Sequence, residues 1–309
     1  MSVFDPAAPP CRLCGVINAG LIGTKSGRFR PVQFSFYRCR ACGYRFVSPV
    51  LGDAVYDQAY YEGRGADPLV NYQREYEDYR RTERLFELED LVEIAKRHFS
   101  EQRPFTASNL SWLDFGCGAG SLLKFVRDLN CLEIGTKAIP VEISGFDVGV
   151  FARRLAVQDG FKIWDLEELN RLPEQTFDVI SCVEVVEHLE HPMEVFKLLA
   201  KLLRKDGLLL LTTGNLESPL ARLLGIHFPY CTPEIHVGYF YPALLERAYH
   251  QVGLTPKCVR FKGALQFKIL KNLPSFIPAK LKARLACVRI LQQILDFGFG
   301  VSQMPCATK

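Results

Sequence analysis

An acid and three alternating glycines stand together in Leu113-Asp114-Phe115-Gly116-Cys117-Gly118-Ala119-Gly120. Trp112, Leu113 and Phe115 are apolar and strand-prone, and Ser121 to Leu129 has helical apolar spacing, so the glycines fall where a strand meets a helix. A backbone without Cβ atoms can pass close to a ligand there, which is what a loop binding a nucleoside cofactor requires. Two acid-and-imidazole groups follow. Glu184, Glu187, His188 and His191 are spaced i, i+3, i+4 and i+7, so a short helix would put them on one face, able to hold a base near neutral pKa or a divalent cation. Glu234 and His236 form the second group, in the segment Tyr230 to Phe240. At the other end of the chain, Cys11-x-x-Cys14 and Cys39-x-x-Cys42 make two pairs, each followed by a glycine, which can close a tetrahedral four-cysteine zinc site.

The glycine spacing separates two cofactors. A dinucleotide fingerprint needs its third glycine at position 121, which is Ser121; the glycine comes early, at Gly120. Together with the acid before it, the string resembles motif I (D/E-x-G-x-G-x-G) of class I S-adenosylmethionine-dependent methyltransferases. The resemblance implies that Asp114, Gly116, Cys117, Gly118 and Gly120 curl under the methionine part of that cofactor. Val141 to Asp147 reads as a second strand ending in an acid, where Asp147 can accept hydrogen bonds from both ribose hydroxyls, with Val148 beside it. The resemblance further implies that Asp165 and Leu166 meet the adenine, after a third strand at 161–164, and that Val183 and Glu184 flank the cofactor after a buried fourth strand at 177–183. Between Gly120 and Asp147 lie 26 residues, more than the usual spacing of about 20. The excess is assigned to a loop from Cys131 to Pro140.

These sites need a scaffold. A helix from about Met193 to Leu203, a stop at Lys205-Asp206-Gly207 and a strand at 208–213 continue the alternation of strands and helices, predicting an α/β fold. The resemblance implies the doubly wound, Rossmann-like, seven-stranded sheet of class I methyltransferases, and such sheets carry ligands at the carboxyl ends of their strands. The expected organisation is a zinc ribbon over 1–50, a tyrosine-rich linker and N-terminal helix over 51–109, and the core over 110–309. Residues 71–99 read as one long helix packing on the sheet edge and able to cap the cofactor pocket. A C-terminal lid helix is placed near 279–295, and 301–309 as a closing antiparallel strand that Pro305 would confine to an edge.

Disulfides compete with zinc at the cysteine pairs. No basic start and apolar stretch of a signal peptide is found, which predicts a cytoplasmic protein, reduced cysteines and a structural metal with no open coordination position. No run of eighteen apolar residues is present. The net charge of +4 is segregated: residues 1–50 carry seven basic side chains against one acidic, residues 257–309 ten against one, and the middle is acidic. Basic ends favour phosphate-bearing partners or an anionic lipid surface touched by the C-terminal helix, and equally a plain solvated face.

A ribbon, a tyrosine-rich linker and a methyltransferase core in this order resemble sugar methyltransferases that act on nucleotide-linked deoxysugars and in glycan or natural-product pathways. That resemblance implies a small-molecule, sugar-linked acceptor, methylated by in-line displacement with help from a general base. Glu234 and His236 resemble the acid and histidine that such enzymes place at the acceptor, although Ile235 separates a pair expected to be adjacent. The E-x-x-E-H string at 184–188 resembles ubiquinone-type O-methyltransferases, where it has been read as a metal site. His191, His236 and His188 are thus the candidate bases, with Glu187 and Glu234 as their acids. For His188 the alternative is a pocket-wall residue bonded to backbone. An RNA methyltransferase using the ribbon and basic ends to bind nucleic acid is the rival reading; against it the ribbon has few aromatics free for stacking, though Phe34, Phe36 and Tyr37 cluster there. The oligomeric state stays open.

Overall fold

The computed structural model describes residues 3–4, 8–66, 72–82, 84–102, 107–259 and 304–309. The chain begins with strands β1 (Val3–Phe4), β2 (Ala19–Ser26), β3 (Gln33–Cys39) and β4 (Arg45–Ser48), followed by the short helix α1 (Gln58–Tyr61), then α2 (Tyr72–Asp78) and α3 (Arg84–Glu101). The alternating part contains β5 (Leu110–Phe115), α4 (Ser121–Leu129), β6 (Cys131–Ile134), β7 (Lys137–Phe146), α5 (Val150–Gln158), β8 (Ile163–Trp164), α6 (Leu166–Arg171), β9 (Phe177–Val183), α7 (Pro192–Leu202) and β10 (Leu203–Thr212). It closes with α8 (Pro219–Leu224), β11 (Gly238–Tyr239), α9 (Pro242–Gln251), β12 (Thr255–Val259) and β13 (Met304–Thr308).

The expected α/β Rossmann-like sheet is present. Its order is β12-β13-β10-β9-β5-β7-β6, with β8 also paired to β7. β10, β9, β5, β7 and β8 run parallel, and β13 is antiparallel to both of its neighbours. Alternation along the strands builds two core layers. Leu113 and Phe115 of β5, Ile180 and Cys182 of β9, and Leu209 and Leu211 of β10 pack against α7 and α9. Leu110 and Trp112, Val179, and Leu208 and Leu210 face α3 and α4 on the other side.

Five expectations are corrected. Among the described residues the sheet has eight strands rather than seven, because 131–140 is not a loop: β6 and the start of β7 form a hairpin that turns at Gly135, and this hairpin accounts for the long spacing to Asp147. Residues 72–101 are not one helix. After α2 the Asp78 carboxylate accepts from the Arg80 N–H and starts a separate 3-10 turn, Tyr79–Arg81. The second piece, α3, lies on the sheet face rather than its edge. The closing strand β13 is inserted between β12 and β10, and Pro305 pairs only towards β12, outside the part flanked on both sides, so its missing N–H breaks no ladder towards β10. The Lys205-Asp206-Gly207 stop is an irregularity within β10, with Asp206 at φ 62. The lid helix near 279–295, and with it the membrane contact, lies outside the described residues. Among those described, no helix is long and apolar enough to cross a membrane.

The cysteine module is built into the core. Its sheet runs β1-β2-β3-β4-β11, so the last strand comes from nearly two hundred residues downstream of β4. One hydrophobic cluster joins Phe34, Phe36 and Val47 to Phe228, Cys231, Val237 and Tyr239. Polar contacts follow the same seam: Lys25 donates to the Cys231 carbonyl at 2.7 Å, and Arg247 to the Cys42 carbonyl at 2.6 Å.

Candidate active site

The glycine loop leaves β5 beside the end of β7. Gly116 and Cys117 N–H donate to the Phe146 carbonyl at 2.7 and 2.9 Å, which fixes the loop on the neighbouring strand. Gly116 has φ +87, and a Cβ there would lie 2.2 Å from a methyl of Val185, so conformation and space both require glycine. Gly118 and Gly120 are also left-handed, and Gly120 caps α4. The Cys117 thiol is buried inside this turn.

Asp147 directly follows β7 and faces the loop. One carboxylate oxygen accepts from Gly118 N–H at 2.8 Å; the other accepts from Gly149 N–H at 2.7 Å and from the Tyr61 hydroxyl at 3.1 Å. Burial holds this carboxyl above its ordinary range, against the pull of those donors. Asp114 is also buried, but it points along the sheet: Ser181 donates to it at 2.6 Å, and the Trp112 indole donates to Ser181 at 2.9 Å. Burial pushes Asp114 up to about 6. Asp165 caps α6 by accepting from Glu168 N–H at 2.7 Å, in a reciprocal capping box. Val148 and Leu166 are half-exposed at the carboxyl edge of the sheet, and Val183 is buried at the end of β9.

Beyond β9 the chain does not form the expected helix. Glu184 takes φ 53 and only a 3-10 turn, Val186–His188, follows. Glu184 and Glu187 are nevertheless brought together, on Tyr230. The Tyr230 hydroxyl donates to Glu184 at 3.0 Å, also contacts Glu187, and accepts from Gly214 N–H at 2.8 Å; Thr213 donates to Glu187 at 2.9 Å. Burial raises both carboxyls, and the charge of Glu184 raises Glu187 further. One oxygen of Glu184 is buried and accepts no hydrogen bond. Two ionised carboxylates this close repel strongly in a buried setting, so the pair needs a shared proton or a cation.

Two histidines complete the cluster. His188 and His236 rings lie 4.8 Å apart, and ligand atoms of Glu187, His188 and His236 all fall within 4.8 Å of one another. His188 Nδ1 is 3.1 Å from the Ile235 carbonyl and 2.9 Å from the Tyr56 hydroxyl. His236 Nδ1 lies 2.6 Å from the Tyr230 carbonyl, which can only accept, so Nδ1 carries the proton and Nε2 keeps its lone pair. Burial lowers His236 to about 4 and His188 well below the usual range, so both are neutral at pH 7.

The structure separates the other two candidates. His191 is exposed and starts α7, one helical step beyond the turn that carries His188. Glu234 is buried, but both its oxygens are taken by backbone N–H groups of Arg28, Phe29 and Arg30 at 2.8 to 3.0 Å, so it holds the β2–β3 turn rather than the acceptor. Tyr56 is one of six tyrosines in the tyrosine-rich linker, and no sequence feature singles it out from the other five. Tyr230 lies in the same segment as Glu234 and His236, but its position beside two buried acids has no local sequence signature.

The four cysteines converge. Cys11 and Cys42 sulfurs are 3.6 Å apart, as are those of Cys14 and Cys39, and all four lie within 4.8 Å of one another. Zinc–sulfur bonds of about 2.3 Å give a tetrahedron with edges of about 3.8 Å, so the spacing fits an S4 zinc site.

A family described as a methyltransferase domain matches residues 76–259. Among curated proteins, the chain is 29% identical over 137 residues to a ubiquinone biosynthesis O-methyltransferase of Rickettsia bellii, covering 44% of this chain and 52% of that one. It is 33% identical over 134 residues to the mitochondrial ubiquinone biosynthesis O-methyltransferase of Schizosaccharomyces pombe, covering 41% and 45%. The chain thus spans about half the length of the curated relatives it matches. Among solved structures, a SAM-dependent methyltransferase of Archaeoglobus fulgidus is 20% identical, covering 73% of this chain and 98% of that one with a TM-score of 0.44.

Proposed function

Because the chain belongs to the methyltransferase-domain family, we propose that it moves the methyl group of S-adenosylmethionine to a hydroxyl of a small molecule. The observation that carries this reading is Asp147, a buried carboxylate at the carboxyl end of its strand, aimed at a loop of left-handed glycines. S-adenosylmethionine supplies a methyl carbon activated by its sulfonium. The loop 116–120 would seat the methionine part, Asp147 would hold the ribose diol, and Leu166 would cover the adenine. An acceptor oxygen forms its bond to carbon as the carbon–sulfur bond breaks, and its proton passes to the free Nε2 of His236. His188 is the alternative proton acceptor. His191, exposed at the start of α7, has no part in this scheme.

The acceptor we favour is a sugar-linked small molecule, on the likeness of the ribbon–linker–core order to sugar methyltransferases. Oxygen as the methylated atom is supported by the names of the relatives, which are O-methyltransferases. RNA is disfavoured, because Phe34, Phe36 and Tyr37 are buried in the module and are not open to stacking on bases. The experiment is methyl transfer from labelled S-adenosylmethionine across a panel of nucleotide sugars, phenols and tRNA. Turnover on tRNA alone overturns the acceptor class, and the absence of any bound S-adenosylhomocysteine overturns the cofactor.

Zinc is the ion proposed for Cys11, Cys14, Cys39 and Cys42, and one equivalent released by thiol oxidation is the expected measurement. A second ion is favoured by the ligand atoms of Glu187, His188 and His236, with Glu184, one of whose oxygens accepts no hydrogen bond, held beside Glu187 on the Tyr230 hydroxyl. Manganese titrated into the protein should then show paramagnetic binding that Glu184→Gln weakens at least tenfold. Unchanged binding in that variant leaves the shared proton as the charge partner.

A further inference from the structure

The segment Asp53 to Tyr61 touches both halves of the candidate active site. Tyr61 places its hydroxyl on the Asp147 carboxylate at 3.1 Å, and Tyr56 places its own 2.9 Å from Nδ1 of His188. The two tyrosines belong to one cluster of aromatic rings, which Tyr72 of α2 joins. Tyr56 packs edge-on against Tyr60, with centroids 5.1 Å apart, and Tyr60 against Tyr61 at the same distance. Asp57 caps α1 between them by accepting from Tyr60 N–H at 2.9 Å. Tyr61 also stands 5.8 Å from Phe151 in α5, and the cluster that holds it includes Ile235, next to His236.

A count of acceptor positions shows what this contact means for the ribose seat. A carboxylate offers about four lone-pair positions. Gly118 N–H, Gly149 N–H and the Tyr61 hydroxyl fill three of those of Asp147. A ribose diol brings two donors to the one position that remains. The two backbone donors are fixed by the loop and by the start of α5, whereas Tyr61 sits on a four-residue helix outside the sheet.

We propose that this strap is a coupling element: the ribose diol displaces the Tyr61 hydroxyl from Asp147, and the shift, passed through the edge-on contacts of Tyr61, Tyr60 and Tyr56, releases Tyr56 from His188. The inference rests on the cofactor reading given above. Cofactor then binds before the acceptor, because His188, whose ring lies 4.8 Å from that of His236, leaves Tyr56 only once the ribose is seated. Tyr61 is in this account a competitor for the ribose seat, and Tyr56 a positioning residue for His188.

The test uses the full chain, S-adenosylhomocysteine and two readouts. Calorimetric titration should show Tyr61→Phe binding S-adenosylhomocysteine about tenfold more tightly than the unsubstituted protein, since one charge-assisted hydrogen bond no longer opposes it. Equal or weaker binding overturns the proposal, because Tyr61 is then neutral or a direct cofactor contact. NMR of labelled histidine should show the His188 ring resonances shifting when S-adenosylhomocysteine is added, and Tyr56→Phe should already display the shifted position without it. Binding that leaves His188 unmoved overturns the coupling while sparing the cofactor reading. An unsubstituted protein that binds no S-adenosylhomocysteine overturns that reading and the strap with it.

Discussion

Asp114 and His236 are both buried titrating groups, and burial moves their charges in opposite directions with pH. Asp114 is raised from its ordinary value of 3.8 to about 6, so the unfolded chain loses this proton first and the carboxyl's contribution, intact below about 4, is lost as pH rises through about 6. Asp114→Asn should therefore gain on the unsubstituted protein between pH 4 and 7, by up to roughly 3 kcal/mol in urea unfolding. A constant difference across that range would show that Asp114 ionises as freely in the fold as out of it. His236, lowered to about 4, contributes stability that is present above about 6.5 and lost as pH falls towards 4. As a proton acceptor it has a separate signature: His236→Asn should cut turnover by about 10²- to 10⁴-fold while S-adenosylhomocysteine affinity stays the same. Normal turnover in that variant would remove His236 from the chemistry. The glycine loop and Asp147 were legible in the sequence because backbone conformation and strand position restrict those sites to a few residue types. Glu234 was not, since its partners Arg28, Phe29 and Arg30 lie some two hundred positions away and no local rule points to them.

The elements that carry His236 are held by the cysteine module. β11 pairs with β4, Val47 N–H donates to the Val237 carbonyl at 3.1 Å, and Val237 N–H donates to the Glu187 carbonyl at 2.8 Å, so one residue links the module to the acid cluster. Cys14→Ser, which breaks the four-sulfur set, should raise amide hydrogen exchange through 228–240 by at least tenfold and leave β5 and β9 protected. Uniform exchange across both regions would mean that the module's effect is not local. This dependence was unreadable beforehand, because two-residue β11 is too short to leave a periodic pattern and the cysteine spacing alone suggests a separate bead. The β6–β7 hairpin was missed for a related reason: Gly135 and Pro140 read as loop residues, while the ladder that orders them is visible only in space.

At the scale of the whole molecule, shared clusters make the sheet and the module one unit. Phe34, Phe36 and Val47 lose their packing if Phe228 to Tyr239 departs, and the reverse holds. Heating should give a single calorimetric transition, shifted as a whole by S-adenosylhomocysteine, with about 2.7 kcal/mol of stabilisation at a hundredfold excess over its dissociation constant. Two transitions, only one of which moves, would show that the module melts independently.

The place of β13 has a consequence for synthesis. β12 ends at Val259 and β13 starts at Met304, yet β13 lies between β12 and β10. A ribosome adding about 5–20 residues per second needs roughly two to nine seconds to deliver that intervening stretch. Throughout that interval the nascent chain holds β10 with an open edge and β12 without its partner, and open edges recruit strands from other chains. Slow translation after Val259, or crowding of polysomes, should therefore convert this protein to aggregate more readily than one whose sheet closes in sequence order.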